Sequence, residues 1–141
     1  MEYLLGLDIG TSGVKAILIS SEGDIISTKN GSYPLFTPES GWAEQNPDDW
    51  WQATETVIKD IISESGIDKN DLKGISFSGQ MHSSVFLDEN MNVIRPAILW
   101  SDTRTSEQCQ QILDRAGGLS TLIDYVSNPA LEGFTAPKIL W

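Results

Sequence analysis

Basic residues, cysteine and long apolar runs are all scarce in this sequence, and each shortage excludes a class of protein. Nine Lys and Arg oppose 20 Asp and Glu, for a net charge of −11. We therefore expect no nucleic-acid partner and no anionic membrane surface, because phosphate backbones need clustered cations. The single cysteine, Cys109, excludes an internal disulfide and favours a reducing compartment. No apolar run approaches the roughly 18 residues of a membrane span, and the first residues do not resemble a signal peptide, so the expected location is cytoplasmic.

The pattern of apolar residues predicts one α/β domain. Three apolar runs over residues 3–8, 14–19 and 25–33 are separated by short polar turns, which predicts an antiparallel meander. A loop over 34–46 then leads to a helix that Asn46 caps. The later predicted elements are a strand over 72–79, a hairpin over 85–94, a short strand over 97–100 and a helix over 105–116, with little assignable after 119.

Two patterns predict which side chains are buried. In the strand over 72–79, Ile75 and Phe77 lie on one side and small residues on the other, which predicts one closely covered face. In the helix that Asn46 caps, apolar positions recur at helical spacing and are predicted to form one buried face. These positions are Trp50, Trp51, Thr54, Val57, Ile58, Ile61 and Ile62.

The turn within Gly6–Lys15 is a candidate phosphate site. It joins two predicted strands, so it is neither a Walker loop nor a dinucleotide fingerprint, both of which lead into a helix. Gly10 allows close approach of an anion, and Thr11 and Ser12 add hydroxyls and amides. Asp8, at the end of the first strand, can organise Mg²⁺ beside the phosphates. Taken alone, the turn also fits an ordinary β-turn with an acid nearby.

Two further segments end predicted strands with side chains able to contact a ligand. Gln80-Met81-His82 follows the strand over 72–79 and includes the only histidine, which without a neighbouring ligand is a poor metal site. The short strand over 97–100 ends in Trp100 and brings Asp102 and Arg104 to the same end. The plainer alternative for that segment is a core aromatic residue and a solvated ion pair between Asp102 and Arg104.

The motifs together resemble a known family. Gly6–Lys15 resembles the first phosphate loop of the superfamily that includes actin, sugar kinases and chaperone ATPases. Segment 41–51 is similar to FGGY carbohydrate kinases, and segments 76–84, 95–104 and 133–141 are similar to the xylulokinases among them. The resemblance implies an RNase H-like α/β fold with a mixed sheet and flanking helices. It also implies ATP and Mg²⁺ as cofactors and phosphorylation of D-xylulose as the activity.

The resemblance also assigns roles to residues. Asp8 would organise the metal and the phosphates, and Gly10, Thr11 and Ser12 would bind the ATP phosphates. The predicted sugar contacts are Gln80, Met81, His82, Trp100 and Asp102.

Several expectations concern the longer protein and its rivals. Residues 1–141 are expected to be an N-terminal domain whose chain continues beyond Trp141, where the second domain and the general-base Asp would lie. A homodimer of the full-length protein is left open. The nearest rival is a gluconate kinase or another FGGY sugar kinase, whereas glycerol kinases differ by an Arg-Glu pair in place of Met81-His82. The competing class is a non-catalytic nucleotide-binding module like actin or Hsp70.

Overall fold

The computed structural model describes all 141 residues and divides them into two compact units. The first unit contains Met1–Pro34 and Pro47–Gln80, and the second contains Leu35–Asn46 and Met81–Trp141. None of the helices combines the length and the apolarity that crossing a membrane requires.

The first unit is a four-stranded mixed sheet with one long helix on it. Its elements are β1 Tyr3–Ile9, β2 Gly13–Ser20, β3 Ile25–Ser32, α1 Pro47–Ser65 and β5 Leu72–Gly79, with a 3₁₀ turn at Lys69–Asp71 before β5. The predicted meander is confirmed, since β1, β2 and β3 pair antiparallel in sequence, and β5 adds parallel to β1 to give the order β3-β2-β1-β5.

Alternation along the strands decides which sheet face α1 covers. Leu5 and Leu7 of β1 and Val14 of β2 are buried against the helix, whose Val57 and Ile61 complete the core. The opposite sheet face carries Asp8, Lys15 and their neighbours and is left open. Each large apolar side chain that is fully buried stabilises the fold by about 1.5–3 kcal/mol, so the face that α1 covers contributes most of the stability of this unit.

Two buried-face predictions in this unit are wrong. Trp51 is 67% exposed because it lies outside the stripe that contains Trp50, which does pack against the core. Ile75 and Phe77 pair with Leu5 and Leu7 and so share their face, but they are 55% and 75% exposed. The alternation was correct, but β5 is an end strand whose Leu72 packs against the core while Ile75 and Phe77 are left uncovered.

The second unit is built from short elements around a buried strand pair. β4 (Glu44–Gln45), inside the segment predicted to be a loop, pairs antiparallel with β6 (Ala97–Ile98). The predicted hairpin is reduced to one bridge, Leu87 with Val93. Three helices follow: α2 Ser106–Ala116, which ends at Gly117 as predicted, then α3 Leu119–Val126 and α4 Thr135–Leu140, which were not predicted.

Candidate active site

The turn between β1 and β2 opens into a cleft in the first unit. The cleft has a volume of about 410 Å³, and Asp8, Gly10 and Ser12 line it together with Lys15. Thr11 is half-buried in the middle of the same turn. The structure therefore brings three of the four predicted phosphate-site residues to one open surface.

Two hydrogen bonds fix the shape of this turn. The Gly10 N–H donates to the Gly13 carbonyl at 3.0 Å, and the Tyr33 hydroxyl donates to the Gly10 carbonyl. Burial, with a smaller effect of the Asp8 carboxylate, raises the pKa of Tyr33, which keeps the hydroxyl protonated. Because the Gly10 amide is engaged inside the turn, the prediction for this residue depends on its small size rather than on its N–H.

Asp8 lies on the open sheet face with two polar neighbours. Its Oδ1 accepts a hydrogen bond from the Ser78 hydroxyl at 2.7 Å, and its cross-strand partner in β2 is Lys15. Directly opposed residues of an antiparallel pair have their side chains on one face, so a carboxylate and an ammonium group share the cleft. Sequence reasoning overlooked Lys15 as a site residue, although the hairpin register across the turn points to it.

The acidic groups do not form a preformed metal cage. No group of three or more His, Cys, Asp or Glu side chains is close enough to hold a metal ion. Mg²⁺ usually keeps several waters and binds through one or two carboxylates plus substrate phosphates. The exposed Asp8 fits that mode as a single protein ligand.

The predicted sugar contacts are divided between the two units. Gln80 is the last residue of the first unit and is half-buried. Met81, His82 and Trp100 belong to the second unit, where Met81 and Trp100 are 72% and 49% exposed and His82 is also exposed. These three side chains are available to a ligand, and their assignment to a sugar stays a prediction.

Asp102 differs from the other predicted contacts because it is 1% exposed. Its Oδ1 accepts hydrogen bonds from the Arg104 amide and Nε, both at 2.9 Å. Its Oδ2 accepts from the Ala43 amide and from the second guanidinium nitrogen of Arg104, both at 2.6 Å. A carboxylate has about four acceptor positions, so protein donors take all of them. The geometry favours the alternative, a pair with Arg104, but the pair is buried and not solvated.

Arg104 is the centre of this buried cluster. Its guanidinium also pairs with Glu44 at 2.7 Å and lies 3.6 Å from the centre of the Trp42 ring. Burial would raise the pKa of Asp102, but the hydrogen bonds from Arg104 and Ala43 outweigh it and lower that pKa. Sequence reasoning missed Glu44 and Ala43 because they are about 60 residues away in the chain. The cluster fixes the segment that carries Trp100, two residues before Asp102.

The fold and motifs agree with comparisons to known proteins. Residues 3–141 match the family model for the N-terminal domain of the FGGY family of carbohydrate kinases. A xylulose kinase from Lactococcus lactis is 50% identical over 141 residues, which cover all of this chain and 28% of that protein.

Two solved structures show the same fold. A kinase from Brucella ovis described as a "xyloylose kinase" superposes with a TM-score of 0.90 at 36% identity, over 99% of this chain and 29% of that one. A gluconate kinase from Lactobacillus acidophilus gives 0.88 at 27% identity, over 99% and 28%. The chain thus spans less than a third of the length of these relatives, and the predicted RNase H-like fold of the actin-like superfamily is confirmed. The chain belongs to the FGGY family of carbohydrate kinases and matches their N-terminal domain.

Proposed function

We propose that the kinase to which this domain belongs transfers the γ-phosphoryl group of ATP to a hydroxyl group of D-xylulose. The observation that carries the proposal is the cleft at the β1–β2 turn, which Asp8, Ser12 and Lys15 line. Its substrate is inferred from the 50% identity to a xylulose kinase. Phosphoryl transfer depends mainly on positioning and on neutralising charge, and an open cleft with these groups supplies both.

At the phosphate end, we assign a separate task to each side chain. Lys15 offers an ammonium group to phosphate oxygens, and Ser12 offers a hydroxyl at the rim of the turn. Asp8, oriented by Ser78, would hold Mg²⁺ directly or through water. When bound, Mg²⁺ would neutralise charge on the phosphates. Tyr33 stabilises the conformation of the turn by donating a hydrogen bond to the Gly10 carbonyl.

At the sugar end, the assigned contacts are exposed side chains of different chemistry. The imidazole of His82 can exchange hydrogen bonds with a sugar hydroxyl, the thioether of Met81 can pack on carbon, and the Trp100 ring can stack. Asp102 acts in this proposal as a support for the segment of Trp100, since its oxygens are occupied. The general base that accepts the hydroxyl proton is assigned to a part of the kinase outside these residues.

Gluconate is the second candidate substrate. The domain superposes on a gluconate kinase almost as well as on the Brucella ovis kinase, although with lower sequence identity. The two substrates differ in charge, because gluconate carries a carboxylate and xylulose is neutral. A carboxylate would favour a cation at the sugar end, and the three exposed residues assigned there, Met81, His82 and Trp100, include no permanent cation.

The test of substrate class is ADP release by a full-length kinase that carries this domain. We expect release to depend on D-xylulose and to be much slower with ribulose, gluconate or glycerol. Fastest turnover with gluconate would favour the second candidate. ADP release that does not depend on any sugar would instead indicate a nucleotide-hydrolysing module of the actin or Hsp70 type.

Replacing Asp8 tests the phosphate end. In the full-length kinase we expect Asp8→Asn to lower kcat at least about 100-fold, which corresponds to a barrier about 2.7 kcal/mol higher. The matched control is Asp24→Asn, which changes another exposed acid, in the turn after β2. Near-normal turnover of the Asp8 variant would refute its role.

Replacing His82 tests the sugar end. We expect His82→Ala to raise the KM for D-xylulose about tenfold and to leave the KM for ATP unchanged, because one hydrogen bond to the sugar and the packing of the ring are lost. An unchanged KM for the sugar would contradict the assignment of His82.

A further inference from the structure

His82 is held in a backbone conformation that few residues other than glycine adopt. Its φ is +65°, in the left-handed region, where crowding of the β-carbon disfavours residues other than glycine. The Ser83 N–H donates to the Met81 carbonyl at 2.9 Å, which closes a three-residue turn around His82. The form of this turn with a positive central φ is rare and strained. Such a conformation persists only where the surrounding structure holds it.

The contacts that hold this turn come from a segment more than 50 residues later. The Thr135 hydroxyl donates a hydrogen bond to the His82 carbonyl at 3.0 Å. The Phe134 ring lies 4.7 Å from the imidazole, centre to centre, with 48° between the planes. One residue therefore fixes the backbone of His82 and its neighbour limits the orientation of the ring.

The same segment also contacts the backbone of Trp100. A β-carbon at Gly133 would lie 2.9 Å from the Trp100 carbonyl oxygen, closer than β-carbons come to other heavy atoms in real proteins. Only glycine allows this approach without displacing one of the two backbone segments. Residues 133–135 thus touch both His82 and Trp100, the two ring-bearing contacts assigned to the sugar.

A buried lysine anchors the segment. Lys138 is 1% exposed, and its ammonium group donates to the carbonyls of Glu132 and Phe134 at 2.6 and 3.0 Å. Burial lowers the pKa of Lys138, although the nearby Asp102 carboxylate opposes that shift. Since a buried cation must be well hydrogen-bonded, these two carbonyls cannot move without a large cost.

We propose that Glu132–Lys138 is a positioning clamp for His82 and Trp100. Thr135 and Gly133 are its two contact points, and Lys138 is its anchor. The consequence for sugar binding depends on the function proposed above, but the clamp itself does not.

The experiment compares Thr135→Val with Thr135→Ser in the full-length kinase. Valine keeps the branched shape and removes the hydroxyl, whereas serine keeps the donor. We expect the valine variant to exchange the amide hydrogens of residues 81–84 about three- to tenfold faster, as the loss of one hydrogen bond predicts. Exchange in α1 should stay unchanged, and the serine variant should behave like wild type.

Kinetics supply the second measurement. We expect Thr135→Val and Gly133→Ala to raise the KM for the sugar about three- to tenfold while kcat falls less than twofold. Unchanged exchange at residues 81–84 in the Thr135→Val variant would overturn the clamp. Faster exchange with an unchanged KM would support the clamp and refute the sugar contact of His82, so the two proposals fail separately.

Discussion

The buried carboxylate of Asp102 allows a quantitative test of the second unit. In Asp102→Asn, the Arg104 guanidinium, whose side chain is 1% exposed, keeps Glu44 as its only carboxylate partner. Removing one partner of a buried pair costs about 3–5 kcal/mol, because the remaining charge is left uncompensated. That loss is a large part of the about 5–15 kcal/mol that stabilises a typical domain.

The assay is urea unfolding of wild type and variant at pH 7, with an exposed ion pair as the matched control. Lys59 and Glu55 pair at 2.8 Å on α1, with exposures of 70% and 47%. Glu55→Gln should therefore cost no more than about 0.5 kcal/mol. If Asp102→Asn cost as little as this control, the description of Asp102 as a buried structural anion would be refuted.

The pH dependence of the same difference has a definite sign. The pKa of Asp102 lies below its ordinary value of 3.8 in the folded state. Its contribution is therefore fully present above pH 3.8 and is lost as the pH falls through the lower folded-state value. The gap in stability between wild type and Asp102→Asn should shrink only below about pH 4.

Two smaller changes test other parts of the chain. Tyr33→Phe leaves the Gly10 carbonyl without its hydroxyl donor. We expect this change to lower the free energy of unfolding, measured by urea titration, by about 1 kcal/mol. No change in that free energy would mean that water replaces the donor fully. Burial raises the pKa of Cys109, so its reaction with a disulfide reagent at pH 8 should be slower than that of an unfolded control; equal rates would contradict this burial.

Local patterns predicted the first unit well because its elements are contiguous and amphipathic. The meander follows from short turns between apolar runs, and α1 follows from its proline-led start and helical spacing. The exposure of Phe77 could not be predicted from alternation, since it depends on how far α1 extends over the sheet. Alternation gives a side chain its face but says nothing about what covers that face.

The second unit was harder to predict because its stabilising contacts are long-range. Trp100 and Asp102 were singled out from one short segment, but the burial of Asp102 depends on the amide of Ala43, 59 residues earlier. The helices α3 and α4 have only eight and six residues, too short for periodicity to identify. Motifs thus located the candidate site, while the partners of each side chain required the structure.

The position of β5 at the end of the sheet also affects how the isolated domain will behave in solution. The backbone groups on its outer edge have no strand partner, and Phe77 in the same strand is an exposed aromatic residue. Lys73 is the only charge along Leu72–Gly79 that can discourage a second strand from adding there. In a concentrated sample of the domain alone, β5 strands of two molecules can therefore pair edge to edge and begin aggregation. A second lysine in β5 would be the first change to try for solubility.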